Sequence, residues 1–258
     1  MNTTGNTILI TGGGSGIGRG LAEAFHKLGN HVIIAGRRKQ VLDETVTANP
    51  GMSSAVLDIE NAASIRAFAA KLIADFPALN AVIHNAGIMR PENLVAQPEE
   101  LTDAEAIITT NLLGPIRLTA ALLPHLQKQP HAAILTVTSG LAFIPLAMTP
   151  TYNATKAAIH SYTQSLRYQL KSTKVQVIEL IPPYVQTELM GSQQASDPRA
   201  MPLADYLSET INILKTQPEA TEVLVERVKP LRFSEQNGPE KYTAFFTQFN
   251  DAMAVDPH

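Results

Sequence analysis

The sequence contains no cysteine, and its charge is nearly balanced. The absence of cysteine excludes disulfides, thiolate zinc sites and cysteine nucleophiles. A net charge of -3 offers no basic surface for nucleic acid, so no nucleic-acid partner is expected. The first residues, MNTTGNTILITGG, lack a basic segment followed by a long apolar one, and no run approaches the roughly 18 apolar residues of a membrane span. We therefore expect a cytoplasmic protein without a membrane partner.

Two further catalytic patterns are missing from the sequence. No G-x-S-x-G elbow occurs, which disfavours a serine hydrolase. The seven histidines show no H-x-x-x-H spacing, so no metal site is expected, and His160 is interpreted as a packed helix residue.

Apolar runs of strand length alternate with longer stretches of helical period, which is the pattern of repeated βαβ units. The apolar runs are nearly continuous, as is typical of parallel strands buried on both faces. Hydrophobic residues make up 45% of the chain and charged residues 17%, and no repeat or linker divides it. The sequence therefore predicts one α/β domain, residues 1–258, built on a doubly wound parallel sheet. The predicted strands are residues 7–11, 31–35, 54–58, 80–85, 132–139, 175–181 and 222–228.

The stretch ILITGGGSGIGRGLAEAF, residues 8–25, places six glycines between a predicted strand and a predicted helix. A literal G-x-G-x-x-G pattern does not occur there, and no Gly-Lys pair follows for a P-loop. The amides at a helix N-terminus favour an anion, and glycines let it approach closely. The stretch is therefore either a phosphate cradle or a loose turn, and the rest of the chain has to decide.

Five short motifs follow one another in order along the chain. They are TGGGSGIG at 11–18, HNAG at 84–87, TNLLGP at 110–115, TVTSG at 136–140 and YNATK at 152–156. This ordered set resembles the short-chain dehydrogenase/reductase family, whose glycine motif reads TGxxxGxG and is matched here by Thr11, Gly12, Gly16 and Gly18. The resemblance covers about the first three quarters of the chain. It implies a single-domain Rossmann fold and hydride transfer to or from a nicotinamide cofactor.

The sequence departs from the family pattern at three places. His84 replaces the first asparagine of the family's NNAG, and Pro183 stands where a glycine is usual. The C-terminal segment, residues 229–258, does not resemble the Gly-rich tail with which many members close their tetramers. The resemblance implies a homodimer or homotetramer, and the unusual tail leaves the choice open.

The resemblance implies a catalytic set of Asn111, Ser139, Tyr152 and Lys156. Tyr152 would donate a proton to the developing alkoxide while a carbonyl is reduced, and Ser139 would hydrogen-bond the same oxygen. Lys156 would bind the nicotinamide ribose. Asn111 would hold a water that connects the lysine to solvent.

Tyr152 and Lys156 are four residues apart on a predicted helix, so both side chains lie on one face. An isolated pair with this spacing is most simply a surface pair. A phenol has an ordinary pKa of about 10. We expect the Lys156 ammonium, together with the positive nicotinamide of an oxidised cofactor, to lower the pKa of Tyr152.

Cofactor choice is predicted from the residues that follow the second strand. An acid there would bind the ribose 2′-hydroxyl of NAD, whereas an arginine accommodates the 2′-phosphate of NADP. Gly36, Arg37 and Arg38 stand at this place, which favours NADP over NAD, although a solvated basic turn is the alternative. The cofactor-binding residues expected here and from the resemblance are Gly12, Ser15, Gly16, Ile17, Gly18, Arg37, Arg38, Asp58, Ile59, Asn85, Ala86, Gly87, Tyr152, Lys156, Val185 and Thr187.

The resulting prediction is an NADP-dependent oxidoreductase of the carbonyl reductase or alcohol dehydrogenase type. Its partner would be a small ketone or secondary alcohol. The alternative is a catalytically idle NADP-binding regulator on the same fold, because a fold does not determine a function. The polar stretch within residues 188–205 is predicted to be a surface loop or a flap over the substrate.

Overall fold

The computed structural model describes residues 1–96 and 100–254. The strands in these residues are β1 Thr7–Thr11, β2 His31–Gly36, β3 Ser53–Val56, β4 Leu79–His84, β5 Ala132–Val137, β6 Val175–Ile181 and β7 Glu222–Leu224. They form one parallel sheet in the order β3-β2-β1-β4-β5-β6-β7. The order reverses between β1 and β4. In sheets of this kind ligands bind outside the carboxyl ends of the strands at that reversal.

Helices cover both faces of the sheet. They are α1 Gly16–Lys27, α2 Lys39–Ala48, α3 Ala62–Asp75, α4 Thr102–Ile108, α5 Gly114–Leu126, α6 Pro150–Leu170, α7 Ser192–Ser196, α8 Leu203–Thr216, α9 Lys229–Arg232 and α10 Pro239–Met253. A turn of π-helix, Thr109–Leu113, joins α4 to α5. This turn carries one of the expected catalytic residues.

The core consists mainly of two apolar clusters, one on each face of the sheet. Ile8 packs in one cluster with Phe25 of α1, while its neighbour Leu9 packs in the other with Leu118 of α5. Successive side chains of a strand point to opposite faces, so a strand covered on both faces needs apolar residues throughout. The predicted doubly wound α/β fold is confirmed.

Three predicted strands are shorter in the structure. β5 ends at Val137 instead of residue 139, and the neighbouring strands explain where the other two end. β3 ends at Val56 instead of residue 58, because its partner β2 ends at Gly36, which pairs with Val56. β7 ends at Leu224 instead of residue 228. Its partner Ile181 is followed by Pro182 and Pro183, which have no N–H to continue the ladder.

The helical stretch Thr102–Leu126 is long and apolar enough to cross a membrane by length and composition alone, with a mean hydropathy of 1.4. Its residues Leu118, Leu122 and Leu126 are fully buried in the core. A core helix meets the same criterion, so this stretch carries no inference about a membrane.

Both segments singled out after the sixth strand contain helices. The expected flap, residues 188–205, contains α7 and the beginning of α8. The C-terminal segment forms α9 and α10, and its last four residues, 255–258, lie outside the described residues.

Candidate active site

A cleft of about 780 Å³ opens at the carboxyl ends of the strands. Most of the expected cofactor residues line it, together with two of the four expected catalytic residues. These are Gly12, Ser15, Gly16, Ile17, Arg37, Arg38, Ile59, Asn85, Ala86, Gly87, Tyr152, Lys156 and Thr187. Gly18, Asp58, Asn111, Ser139 and Val185 are not among its lining residues.

The glycine-rich turn is braced by the residues that follow β4. Thr11 Oγ1 accepts hydrogen bonds from the backbone amides of Asn85 and Ala86, each at 3.1 Å. Asn85 Nδ2 donates to the carbonyls of Thr11 at 3.0 Å and Gly12 at 3.3 Å. The HNAG motif therefore fixes the shape of the glycine-rich turn.

The glycines of this turn are required by its geometry. Gly12 and Gly16 have φ values of +67° and +52°, a region that side-chain-bearing residues rarely adopt. A Cβ on Gly18 would lie 2.3 Å from the Gly12 carbonyl oxygen. Ser15 precedes α1 without capping it, and no acid stands in the first turn. This bare helix start fits the pyrophosphate of a dinucleotide, as the cradle interpretation requires.

The π-helical turn holds Asn111 beside the segment after β4. Asn111 Oδ1 accepts from the Ile88 amide at 2.9 Å, and its Nδ2 donates to the Ile88 carbonyl at 2.9 Å. Nδ2 also reaches Thr155 Oγ1 at 3.3 Å, next to Lys156. The buried Asn111 therefore connects the cofactor side of the cleft with α6.

The other three expected catalytic residues are all buried. Ser139 follows β5, and its Oγ accepts from the Leu141 amide at 3.1 Å. Tyr152 and Lys156 lie in the first two turns of α6, and Lys156 Nζ donates to the Val137 carbonyl at 2.8 Å. The simple surface pair is thus excluded, and the structure brings all three residues to the end of β5.

Burial shifts the pKa values of Tyr152 and Lys156 in the protein alone. Burial raises the pKa of Tyr152 to about 12, although a hydrogen bond with Ser139 partly opposes the shift. Burial lowers the pKa of Lys156 to about 8. In the protein alone, removing the phenolate from water outweighs the hydrogen bond with Ser139. The lowering expected beside an oxidised cofactor stays a prediction.

The two arginines after β2 extend in different directions. Arg38 Nη2 donates to Ser15 Oγ at 3.3 Å, on the glycine-rich side of the cleft. Arg37 Nη1 donates to Glu60 Oε1 at 2.8 Å, beyond β3. Asp58 Oδ1 accepts from the Glu60 amide at 3.0 Å and thereby shapes the turn that carries Ile59.

Two of the expected cofactor-binding residues, Val185 and Thr187, lie just before the flap. Gln194 of α7 donates through Nε2 to the Val185 carbonyl at 2.8 Å and to Thr187 Oγ1 at 3.0 Å. A Cβ on Gly16 would lie 3.5 Å from Thr187. The residue that precedes the flap therefore lies against the glycine-rich turn, and α7 of the flap binds it.

Sequence reasoning missed a polar cluster behind the site. His160 Nδ1 lies 2.8 Å from Glu179 Oε2, and Thr138 Oγ1 donates to Glu179 Oε1 at 2.7 Å. Glu222 neighbours Glu179 in the sheet. The two carboxylates and the His160 imidazole lie close enough together to form a potential cation site. Arg232 binds Glu222 through Nε at 2.8 Å, so the arginine guanidinium supplies the positive charge that a cation would otherwise bring to this cluster. Only the register of β6 and β7 could have revealed this cluster.

The C-terminal helix α10 contacts both the segment after Ser139 and the flap segment. Asn250 Oδ1 accepts from the Ala147 amide at 2.6 Å, and its Nδ2 donates to the Pro145 carbonyl at 3.1 Å. Arg199 of the flap segment donates to the Ala252 carbonyl at 3.1 Å. α10 therefore joins the segment after Ser139 to the flap.

The model of the short chain dehydrogenase family matches residues 6–198, a range that includes every motif described above. The chain belongs to the short-chain dehydrogenase family. The resemblance seen in the motifs is confirmed. Members of this family are oxidoreductases, and the protein is assigned to that class.

Relatives extend the match beyond the family motifs. DltE of Bacillus subtilis strain 168, named an uncharacterized oxidoreductase, is 39% identical over 253 residues, which cover 97% of this chain and 98% of that protein. A 3-ketoacyl-(acyl-carrier-protein) reductase from Brucella melitensis complexed with NADH is 27% identical, with a TM-score of 0.77 over 88% of this chain and 100% of that one. A short chain dehydrogenase from Burkholderia cenocepacia J2315 in complex with NADP has a TM-score of 0.78 over 100% of both chains at 22% identity, and shows the fold alone.

Proposed function

We propose that the protein is an NADP(H)-dependent reductase that interconverts a neutral ketone and a secondary alcohol, with Tyr152 as general acid and base. The observation that carries the proposal is the burial of Tyr152 beside Ser139 and Lys156. A phenol whose pKa is raised to about 12 keeps its proton at neutral pH. It therefore holds the proton that a developing alkoxide needs.

The other steps of carbonyl reduction are assigned to residues of the chain. NADPH, when bound, supplies the hydride that the carbonyl carbon accepts. Ser139 orients the carbonyl oxygen toward Tyr152, whose hydroxyl proton moves to that oxygen. Lys156 is charged at neutral pH and stabilises the phenolate that remains. Asn111, through its contact with Thr155, is placed to guide a water that returns the proton.

The preference for NADP(H) is supported by the charge around the end of β2. Arg37, Arg38 and Ser15 line this part of the cleft, and no acid stands at position 36. A Cβ on Gly36 would meet only Leu42 Cδ2, at 3.8 Å, so the backbone has room for an aspartate. In Gly36→Asp, the carboxylate would repel a 2′-phosphate and accept from the 2′-hydroxyl of NADH.

We also infer that the protein forms a homo-oligomer. Leu101, Ile108 and Leu113 lie along the α4 to α5 stretch with 44%, 40% and 36% of their surface exposed. Burying apolar side chains of this kind against a second copy would be favourable. Light scattering coupled to size exclusion measures the expected dimer or tetramer mass, and a monomer mass at assay concentration would contradict it.

The activity is tested by following NADPH oxidation with a panel of neutral ketones, in the wild type and in Tyr152→Phe. We expect turnover in the wild type and a loss of about 100-fold or more in kcat in Tyr152→Phe, because general acid catalysis contributes on this scale. The Kd for NADPH should stay unchanged. Tyr168→Phe is the matched control, since Tyr168 lies on the same helix and is 69% exposed.

Two outcomes would contradict the proposal. Tight NADPH binding without turnover of any ketone or alcohol would favour the idle regulator. A kcat in Tyr152→Phe equal to that of the wild type would exclude Tyr152 as the proton donor. The cofactor assignment fails separately if the wild type binds NADH as tightly as NADPH.

A further inference from the structure

Glu60 binds one of the two arginines expected to select the cofactor. Its Oε1 accepts from Arg37 Nη1 at 2.8 Å and from Thr110 Oγ1 at 2.9 Å. Arg37 and Thr110 both line the cleft. The ion pair therefore runs along the side of the cleft formed by the turns after β2 and β3.

The position of Glu60 is fixed by contacts on its backbone as well as its side chain. Its amide donates to Asp58 Oδ1 at 3.0 Å, and its carbonyl accepts from Arg117 Nη1 at 3.2 Å. Thr110, which binds the carboxylate, is itself buried. The carboxylate is consequently held in place, whereas Arg37 is 56% exposed in its side chain and can exchange partners.

Arg38 occupies a different environment. Its guanidinium contacts Ser15 Oγ at 3.3 Å, and it makes no ion pair among the described residues. One arginine is therefore oriented toward the glycine-rich turn, while its neighbour is held by an acid on the opposite side. A 2′-phosphate placed between them would have to draw Arg37 away from Glu60.

We propose that Glu60 is a specificity-determining residue that competes with the 2′-phosphate of NADP(H) for Arg37 and so limits the preference for NADP(H) over NAD(H). The inference rests on the proposed NADP(H) preference. NADH has no 2′-phosphate, so it gains nothing from the release of Arg37. Removing the acid should therefore strengthen NADPH binding selectively.

The test is a thermodynamic cycle with Glu60→Gln, Arg37→Ala and the double variant. The dissociation constants for NADPH and NADH are measured by nucleotide fluorescence on the whole protein. Partly exposed ion pairs are weak, so we expect Glu60→Gln to lower the Kd for NADPH by about two- to fivefold and to leave that for NADH unchanged. Arg37→Ala should weaken NADPH by about tenfold or more. The double variant should equal Arg37→Ala, because the acid then has no guanidinium to hold.

Asp75→Asn is the matched control for the lost charge. Asp75 is exposed and pairs with Lys71 at 2.8 Å. Asp75 is the last residue of α3, a helix of 14 residues that begins two residues after Glu60. At 1.5 Å per residue, Asp75 lies about 20 Å from the start of that helix. That distance is more than two screening lengths of about 8 Å at physiological salt. This variant should bind both cofactors like the wild type.

Three results would overturn the inference. An unchanged or weaker affinity of Glu60→Gln for NADPH would show that the acid does not compete. A gain that persists in the Arg37→Ala background would assign the effect to direct repulsion of the phosphate. Equal wild-type affinities for NADPH and NADH, with both weakened alike by Arg37→Ala, would overturn the NADP(H) preference and this inference together.

Discussion

Lys156 Nζ lies 5.5 Å from the centre of the Tyr152 ring. Both groups are buried, and burial favours the neutral form of each: the pKa of Tyr152 is raised to about 12 and that of Lys156 is lowered to about 8. In the protein alone, the proton of Tyr152 is therefore held firmly. In the proposed reaction, the positive charges of Lys156 and of an oxidised cofactor would stabilise the phenolate.

The two directions of the reaction should depend on pH in opposite ways. Oxidation of an alcohol needs the phenolate, whose population below the pKa rises tenfold per pH unit, so its rate should increase from pH 6 to about 8 and level off above that, where Lys156 loses its charge. Reduction needs the phenol and a charged Lys156, so it should be flat near neutrality and decline above about pH 8. Rates are measured with deuterated cofactor and substrate to establish that hydride transfer is limiting. Identical flat profiles under that condition would contradict the role of Tyr152.

Gly18→Ala should damage the cofactor cradle. Its Cβ would lie 2.3 Å from the backbone oxygen of Gly12, so the turn itself would have to shift. We expect NADPH binding to weaken by about tenfold or more, which corresponds to roughly 1.4 kcal/mol. Gly20→Ala on the same helix is the control, because its Cβ would meet only the flexible end of Leu207. Equal Kd values for the two variants would show that the close approach at Gly18 is unimportant.

His84 should make stability depend on pH. Burial lowers the pKa of His84 to about 4, and its Nε2 lies 2.9 Å from Thr119 Oγ1. Between about pH 6.5 and 4 the unfolded chain binds a proton that the folded chain does not. The free energy of unfolding should therefore fall as the pH falls through this window, by up to about 1.4 kcal/mol per unit.

Urea denaturation of His84→Asn at several pH values between 7 and 4 tests this prediction. In this variant the free energy of unfolding should no longer fall with pH by the amount that His84 contributes, whatever the absolute stability of the variant. His131→Asn is the control, because His131 is exposed. A slope that stays unchanged in His84→Asn would mean that His84 can take up a proton within the folded protein.

Asn250→Ala should loosen the segment that follows Ser139. The variant loses the bonds to the Ala147 amide and the Pro145 carbonyl. Each of these two hydrogen bonds contributes about 0.5 to 1.5 kcal/mol, so local opening should become roughly 5- to 150-fold more frequent. Hydrogen exchange at the Ala147 amide measures this, with the exposed Gln248→Ala as control. Unchanged exchange would show that α10 does not hold this segment.

The sequence by itself determined the order of strands and helices along the chain, and its motifs predicted the catalytic groups. Continuous apolar runs mark strands buried on both faces, and the spacing of Tyr152 and Lys156 places both on one side of α6. These signals are local, because they depend only on backbone period and on neighbours within one or two turns. The glycine pattern of the cradle is a local signal for the same reason, because it lies within a single turn between β1 and α1.

Only the tertiary structure decided the electrostatics and the partners of those groups. The shift in the pKa of Tyr152 comes from burial, which depends on what the fold packs around a side chain. Arg37, which follows β2, binds Glu60, which follows β3. Asn250 binds a segment more than 100 residues away in the sequence. β7 ends opposite the prolines that follow β6, because these prolines have no N–H to continue the ladder. Each of these features depends on which chain segments become neighbours, and no single window of the sequence contains that information.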